Sequence, residues 1–458
     1  MPSLSEVRRI EPKQLPLFHP KDSPSKNAQA AFKDTAFASN KKIPVHRWVP
    51  WIAGFSCDFT RGAIDKYLSN KGVVLDPFAG VGTSLVEAAF AGHKTIGFEI
   101  NPYAALAART KLNAFWVDLK ALLNAIENLN AFARARSSAM YQATSTPPAG
   151  FRTRGEFYSP RVLQKVLVLQ DFIATLHDSV LQDLFRVAFG ATMVSYSNYS
   201  YEPSLGQRKS AGRENIEDYP VFDVVLRKLN EMAEDIAILQ SENDRVRPKG
   251  FVHNDSFFNC KGVVQPGTVD LIVTSPPYLN NYHYNRNTRP HLYWLGFVIG
   301  PEDMKPLEHA NFGKFWQTVR EEKRIDLNFH LDSCALPKQL EQLRGIHPEK
   351  GIYGGNGWAN YAASYFNDCY RFAKCAKYVL KRGGTALVVV GNSILQGMMI
   401  PTDQYLGEIA EAAGMKLVGI HVPRATRIGN SIIQSDVRVG KAHKSHKLYE
   451  AIVEMKKK

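Results

Sequence analysis

The sequence contains no run of about 18 apolar residues that could span a bilayer, and its first residues lack the apolar core of a secretory signal. Its five cysteines are scattered and form no Cys-x-x-Cys pair, so they indicate neither a structural zinc site nor a redox couple. None of the five follows a proline. These absences predict a cytoplasmic protein with reduced thiols, no bound metal and no membrane partner.

Two phosphate-binding signatures are also missing. The turn at "DPFAGVGTS", residues 76–84, is not followed by Gly-Lys-Ser or Gly-Lys-Thr, which excludes a P-loop. Its glycines do not have the Gly-x-Gly-x-x-Gly spacing of dinucleotide-binding enzymes. A diphosphate ligand and a nicotinamide-dependent oxidoreductase are therefore disfavoured.

The charge of the chain favours a polyanionic partner. The 458 residues are 45% hydrophobic, and 57 Lys and Arg against 43 Asp and Glu give a net charge of +14. A sequence pI near 9.4 suits nucleic acid, with an anionic membrane surface as the less favoured alternative. Charge alone separates these two partners poorly.

Alternating strand and helix patterns predict an α/β fold. Residues 71–112 have the pattern of strand, glycine turn, helix, strand and helix, and Asn101-Pro102 is typical of a helix start. The alternation resumes at about 250 and continues to the end of the chain. We predict a doubly wound, mostly parallel, seven-stranded Rossmann-like sheet whose last two strands are antiparallel because no helix separates them.

The same patterns divide the chain into six segments. These are a flexible N-terminal arm (1–45), the cofactor half of the core (46–114), a helical insertion that is a candidate for target recognition (115–245), the catalytic half (246–299), an irregular insertion (300–358) and the C-terminal strands (359–458).

The cofactor half offers a glycine turn and an acidic residue at successive strand ends. Glycines at the turn let the backbone bend sharply and approach a ligand, although they also suit a turn that only packs helix on strand. Glu99 ends the next strand, seventeen positions after Gly82, where a carboxylate can accept from two ribose hydroxyls or simply be solvated. Asp255 ends the following strand and suits either an adenine amino group or a helix cap.

A second corner follows a later apolar strand, in "TSPPY", residues 274–278. Together with "DPFAGVGTS" it resembles the S-adenosylmethionine-dependent amino-methyltransferases of DNA, which modify cytosine N4 or adenine N6. The resemblance covers about 71–112 and 250–298, and more weakly 383 to the end. It implies S-adenosylmethionine as the cofactor, held by Asp76, Pro77, Phe78, Gly80, Gly82, Thr83, Glu99 and Asp255.

The resemblance places catalysis at Ser275, Pro276, Pro277 and Tyr278. An exocyclic amino group is a poor nucleophile, so acceptors that hold its N–H bonds are needed, and the Ser275 hydroxyl and Pro276 carbonyl can accept. Pro277 adds no competing N–H and stiffens the backbone. Holding the reacting atoms near 3 to 3.5 Å can supply roughly 7 to 11 kcal/mol. Tyr278 offers a ring on which a flipped base can stack, worth about 1 to 3 kcal/mol.

The target base stays open at this level. A leading serine favours cytosine N4, whereas Asp or Asn is more often associated with adenine N6 in the family. Methylation of cytosine C5 is disfavoured because the motif has no cysteine nucleophile. An RNA amino-methyltransferase and a non-catalytic nucleic-acid-binding protein are the remaining alternatives.

Residues that suit phosphates and bases occur after the corner and in two other loops. The candidates for binding double-stranded DNA are Asn280, Asn281, Tyr282 and Arg286, then Arg208, Lys209 and Arg213, and finally Arg424 and Arg427. Each suits an ordinary polar loop as well. The resemblance also admits a cognate restriction endonuclease as a partner.

Overall fold

The computed structural model describes residues 32, 37–51, 54–136, 141–201, 205–242, 249–279, 284–424 and 448–458. Their strands are β1 Val73–Asp76, β2 Lys94–Phe98, β3 Tyr199–Tyr201, β4 Leu205–Gln207, β5 Gly250–His253, β6 Val269–Thr274, β7 Leu380–Gly391, β8 Ser393–Leu395, β9 Met398–Ile400, β10 Met415–Arg424 and β11 Glu450–Lys457.

The helices alternate with these strands. They are α1 Cys57–Tyr67, α2 Thr83–Phe90, α3 Pro102–Asn113, α4 Leu119–Ala135, α5 Pro160–Ala174, α6 Ser179–Thr192, α7 Val221–Glu242, α8 Tyr284–Asn287, α9 Arg289–Trp294, α10 Met304–Ala310, α11 Trp316–Val319, α12 Ala335–Arg344, α13 Gly355–Val379 and α14 Thr402–Ala412. None of these helices is both long enough and apolar enough to cross a membrane.

Seven strands form one sheet in the order β10-β11-β7-β6-β1-β2-β5. Every neighbouring pair is parallel except the two that involve β11, which runs against β7 and β10. The predicted doubly wound sheet with an antiparallel pair at one side is confirmed. Chain order reverses between β1 and β6, and a switch point of this kind is where α/β sheets bind ligands.

Register places the ends of those two strands side by side. Val74 pairs with Leu271 and Leu75 with Ile272, so the carboxyl ends of β1 and β6 reach the same edge of the sheet. Helix α3 begins after Asn101, whose side chain accepts from the amides of Tyr103 and Ala104. The predicted helix start at this position is confirmed.

The insertion at 115–245 is helical, as its apolar spacing predicts, but it also contains the β3–β4 hairpin. Helix α7 carries Asp235, a fully buried carboxylate that accepts from the Val45 amide at 2.8 Å, from Arg47 Nη2 at 2.6 Å and from Trp48 Nε1 at 2.9 Å. This carboxylate therefore joins the insertion to the segment that precedes α1.

Two segment predictions need correction. The described part of the expected arm is packed: Phe32, Asn40 and Val45 are buried, and Asn40 bonds to the backbone of Phe55 and Cys57. The charged and Pro-rich composition of this segment predicts flexibility and gives no sign of these few buried side chains. The expected irregular insertion at 300–358 contains α10, α11 and α12, and Leu336, Leu340 and Leu343 of α12 bury one helical face among its polar neighbours.

Candidate active site

The tips of β1 and β6 are joined by a hydrogen bond. Thr274 Oγ1 donates to Asp76 Oδ1 at 2.6 Å. Asp76 also accepts from the Phe78 amide at 3.0 Å and from the Ser84 hydroxyl. The glycine turn starts directly after Asp76 and the proline corner directly after Thr274, so this bond brings the two predicted motifs together.

The carboxylate of Asp76 is buried and is bonded by groups of the protein itself. Its side chain is only 1% exposed, and the three donors around it belong to the protein. Burial raises the pKa of this carboxyl to about 6, while the hydrogen bonds from Ser84, Thr274 and Phe78 act in the opposite direction. The residue fastens the two strand ends, and a cofactor contact through its carboxylate stays a prediction.

The glycine turn needs a left-handed backbone at two positions. Gly80 has φ 51° and Gly82 φ 88°, values that side-chain-bearing residues rarely adopt. A Cβ added to Gly82 would lie 3.0 Å from the Ala108 methyl, so this glycine also lets α2 approach α3. Pro77 and Thr83 of the same turn are buried, whereas Phe78 and Gly80 are partly exposed.

Glu99 faces this turn from the end of β2. Its Oε2 accepts from the Gly80 amide and its Oε1 from the Asn101 amide, both at 2.8 Å. Burial raises the pKa of Glu99 to about 7, against the effect of these two backbone amides. Each oxygen keeps a further lone pair, so the carboxylate is oriented and still able to accept from hydroxyl groups.

Asp255 lies at the same edge, beyond β5, and is exposed. One of its oxygens, Oδ1, accepts from the Ser256 amide at 2.7 Å and from Asn259 Nδ2 at 2.8 Å. The neighbouring Asn254 donates to the Glu99 carbonyl at 2.8 Å, which ties the ends of β2 and β5 together. The helical turn that follows is capped by Ser256, whose hydroxyl accepts from the Phe258 amide, so neither predicted role of Asp255 is decided by these contacts.

An aromatic wall beside the glycine turn was not predicted. The ring of Phe78 lies 5.1 Å from that of Phe312, which lies 6.1 Å from that of Phe258. Phe312 comes from the insertion at 300–358, and the adjacent Gly313 amide is fixed by Asp368 at 2.9 Å. No local signal marks a single Phe in a polar stretch as part of a site 230 residues away in the chain, so sequence reasoning missed it.

The proline corner is held from three sides. Pro276 is buried, whereas Ser275, Pro277 and Tyr278 are partly exposed. The Tyr278 hydroxyl donates to Glu450 Oε1 of β11 at 3.1 Å, and its ring lies against Gly391 at the end of β7. Tyr361 of α13 donates its hydroxyl to the carbonyl of Leu279, directly after the corner. The backbone of the corner is therefore fixed while the Ser275 side chain retains access to the edge.

The chain after the corner connects the cofactor half to the helical insertion. Asn101 Nδ2 donates to Thr288 Oγ1 at 2.7 Å. Asn287 accepts on its carbonyl from the Tyr201 hydroxyl at 3.0 Å and on its side chain from the Leu205 amide at 3.1 Å. The β3–β4 hairpin of the insertion thus lies against the segment that follows the corner.

Four predicted DNA-binding residues belong to this region. Arg286 is exposed in α8, while Lys209 and Arg213 are exposed just after β4. Arg208 Nε donates to the Glu214 carbonyl at 2.9 Å. Arg424 is the last residue of β10, three strands from β6 in the sheet. Asn280, Asn281, Tyr282 and Arg427 lie outside the described residues.

Sequence comparison agrees with this arrangement. A family model described as DNA methylase, of the N6/N4 type, matches residues 22–109. Type II methyltransferase M.BsoBI of Geobacillus stearothermophilus is 23% identical, over 87% of this chain and 84% of its own length. Type II methyltransferase M.MvaI of Kocuria varians is 24% identical, over 73% of both chains.

These sequence matches are to amino-methyltransferases of DNA, the family that the two motifs of the chain resemble. Solved structures that match this chain include TrmN from Thermus thermophilus, at 8% identity and a TM-score of 0.27 over 88% of this chain and 49% of that one. The rRNA methyltransferase aviRa from Streptomyces viridochromogenes gives 9% identity and a TM-score of 0.27 over 89% and 87%. The resemblance to DNA methyltransferases rests on the sequence matches, not on these structures.

The resemblance to the amino-methyltransferases implies S-adenosylmethionine as the methyl donor, which would supply an electrophilic methyl group on a sulfonium. The structure offers residues that fit it. The turn is partly exposed at Gly80, the oriented carboxylate of Glu99 suits ribose hydroxyls, and the ring of Phe78 offers an apolar wall.

Proposed function

We propose that the protein is a site-specific DNA methyltransferase that transfers a methyl group from S-adenosylmethionine to the exocyclic amino group of a flipped base. Cytosine N4 is the favoured target, and adenine N6 is the alternative. The observation that carries the proposal is the 2.6 Å bond between Thr274 and Asp76, because it joins the glycine turn to the corner that begins at Ser275. A methyl donor on one motif and an amino group on the other would then share one pocket.

The chemistry of the corner follows from its acceptors. The amino lone pair is delocalised into the base, and acceptors on both N–H bonds favour a pyramidal nitrogen that can attack. The Ser275 hydroxyl and the Pro276 carbonyl are adjacent acceptors on a backbone held by Tyr361 and Glu450. The nitrogen loses one proton to solvent after the methyl group arrives. Fixed geometry, without a dedicated base, is the catalytic device we assign.

The preference for cytosine N4 is supported by the serine that opens the motif, since both the hydroxyl and the carbonyl can accept from a cytosine amino group. Tyr278 would stack on the extruded base, which helps to offset the cost of leaving the duplex. Adenine N6 uses the same acceptors and is the alternative product.

We propose that the helical insertion takes part in target recognition. Its support is the contact of the β3–β4 hairpin with Asn287, which places the loop carrying Lys209 and Arg213 near the segment carrying Arg286. Exposed cations near the segment that follows the corner suit phosphates that flank the target. The Type II designation of the relatives supports a further proposal, that a cognate restriction endonuclease accompanies this methyltransferase.

The product identifies the reaction. Purified protein is incubated with deuteriomethyl S-adenosylmethionine and either duplex DNA of mixed sequence or structured RNA, and the nucleosides are analysed by mass spectrometry. We expect labelled 4-methylcytosine from DNA only, and 6-methyladenine would move the assignment to the alternative base. Labelled 5-methylcytosine, or a methylated nucleoside from RNA alone, would refute the proposal.

A further inference from the structure

A basic groove of about 940 Å³ runs along α13 and shares the ring of Phe258 with the aromatic wall of the candidate active site. Five cationic side chains contribute to its walls, Lys261, Arg371, Lys374, Lys377 and Lys457, against one carboxylate, Asp368. We refer to it as the α13 groove. The proposed methyl transfer uses none of these residues.

The groove extends away from the catalytic edge. Pro266, which precedes β6, and Lys457, the last residue of β11, belong to its lining, and both lie at the edge opposite Asp76 and Ser275. The other end of α13 is held at the corner by the bond from Tyr361 to Leu279. At 1.5 Å per residue, Arg371 and Lys377 lie about 15 and 24 Å from Tyr361 along the helix axis.

The cations of the groove are not neutralised. Among the residues that the structure describes, none of the five forms an ion pair within 4.0 Å. Lys261, Arg371, Lys374 and Lys377 are exposed, and Lys457 donates to the Leu380 carbonyl at 2.7 Å. Five positive charges face one cavity against the single carboxylate of Asp368, so their grouping favours an anionic ligand.

Aromatic rings hold several of these cations in place. The Arg371 guanidinium lies 4.1 Å from the centre of the Phe258 ring, Lys374 Nζ lies 5.5 Å from that of Tyr370, and Lys261 Nζ lies 5.7 Å from that of Tyr378. A ring face attracts a cation without cancelling its net charge. The Asp368 carboxylate is largely buried and accepts from the Gly313 amide at 2.9 Å, so it is already engaged.

We propose that the α13 groove binds the sugar-phosphate backbone of the DNA that flanks the target site. The proposal rests on the proposed function only in taking DNA as the ligand. Arg371 and Lys377 are separated by about 9 Å along the helix, close to the rise of three base pairs. The groove begins within one helical turn of duplex, about 34 Å, from the corner, so a single bound duplex can reach both.

The test neutralises three lysines of the groove, in the variant Lys261→Gln, Lys374→Gln, Lys377→Gln. A matched control carries Lys71→Gln, Lys94→Gln and Lys120→Gln, which removes the same charge at exposed positions outside the groove. Binding to a duplex of about 30 base pairs is measured from 50 to 200 mM salt. Affinity for S-adenosylhomocysteine and the melting temperature report on the folded state of each variant.

In the groove variant, the negative slope of log K against log salt is expected to become shallower by about 2 to 3, since each lost phosphate contact changes the slope by about 0.9. Binding is expected to weaken at least tenfold. The control is expected to stay within about twofold of wild type. Equal effects of the two variants, or no effect of the groove variant, would overturn the proposal. Because binding is measured without turnover, an absence of methyl transfer would refute the proposed function and leave this result standing.

Discussion

Thr274 and Asp76 come from strands almost 200 residues apart in the chain, and the hydroxyl of one donates to the buried carboxylate of the other at 2.6 Å. This contact fixes the end of β6 to the end of β1. The corner at Ser275 and the turn at Gly80 therefore have a defined relative position. A methyl transfer depends on two reactants held at a set distance. This bond therefore connects the fold to the proposed catalysis, because it sets the relative position of the two motifs that would hold the reactants.

Replacement of Thr274 by Val removes that donor with little change of shape. We expect the free energy of unfolding to fall by about 1 to 3 kcal/mol, because the buried carboxylate loses one of its partners. The loss should be larger at pH 8 than at pH 5. The pKa of Asp76, about 6, lies above its ordinary value, so the carboxyl is protonated at pH 5 and needs its donors less.

Urea unfolding at the two pH values measures this difference. Thr268→Val is the matched control, because the Thr268 hydroxyl bonds only to the Gln265 carbonyl, before the start of β6. A loss of equal size in the two variants, or one independent of pH, would contradict the role of the Thr274 bond.

Ser275→Ala should lower the rate of methyl transfer about tenfold to a hundredfold, equivalent to roughly 1.4 to 2.8 kcal/mol in the barrier. Affinity for S-adenosylhomocysteine should stay within about twofold, because the hydroxyl acts on the amino group of the base. Single-turnover kinetics and calorimetric titration measure the two quantities separately. Ser275→Thr keeps a hydroxyl and should recover part of the rate, and an unchanged rate in the Ala variant would reject this acceptor.

Cofactor affinity should depend on the ionisation of Glu99. The pKa of this carboxyl is raised to about 7, and its ionised form is the better acceptor for ribose hydroxyls. Affinity for S-adenosylhomocysteine is thus expected to fall about tenfold as the pH decreases from 8 to 6. Glu99→Gln should bind more weakly at pH 8 and lose most of the pH dependence. The same pH dependence in the Gln variant would assign the titration to another group.

Two substitutions of Tyr278 distinguish the contribution of its ring to methyl transfer from that of its hydroxyl. Tyr278→Phe removes the hydroxyl that bonds to Glu450 but keeps the ring, and it should reduce methyl transfer severalfold. Tyr278→Ala also removes the stacking surface, worth about 1 to 3 kcal/mol per base, and should raise the KM for DNA and lower the rate further. Steady-state kinetics on one duplex compare the two variants. Equal defects in both would mean that the ring does not contact the base.

The sheet, and the position of the glycine turn beside the proline corner, could be predicted from the sequence. Strand periodicity, the glycine turn and the Asn101 cap are local features, and parallel strands bring their carboxyl ends to one edge. The contribution of Phe312 and the buried position of Asp235 depend on packing between segments far apart in the chain. Nothing in the neighbouring residues specifies such contacts. The hydrogen bond between Asp76 and Thr274, which joins two strands, likewise depends on residues far apart in the chain.

A crystal structure of the protein with S-adenosylhomocysteine tests the central claim most directly, because it locates the cofactor sulfur relative to the corner. We expect the ribose hydroxyls to bond to the carboxylate of Glu99, and the sulfur to face a space bounded by Ser275 and Pro276 that can hold an amino nitrogen. A cofactor bound away from the turn at Gly80 and Gly82, or with its sulfur turned away from Ser275, would contradict the account.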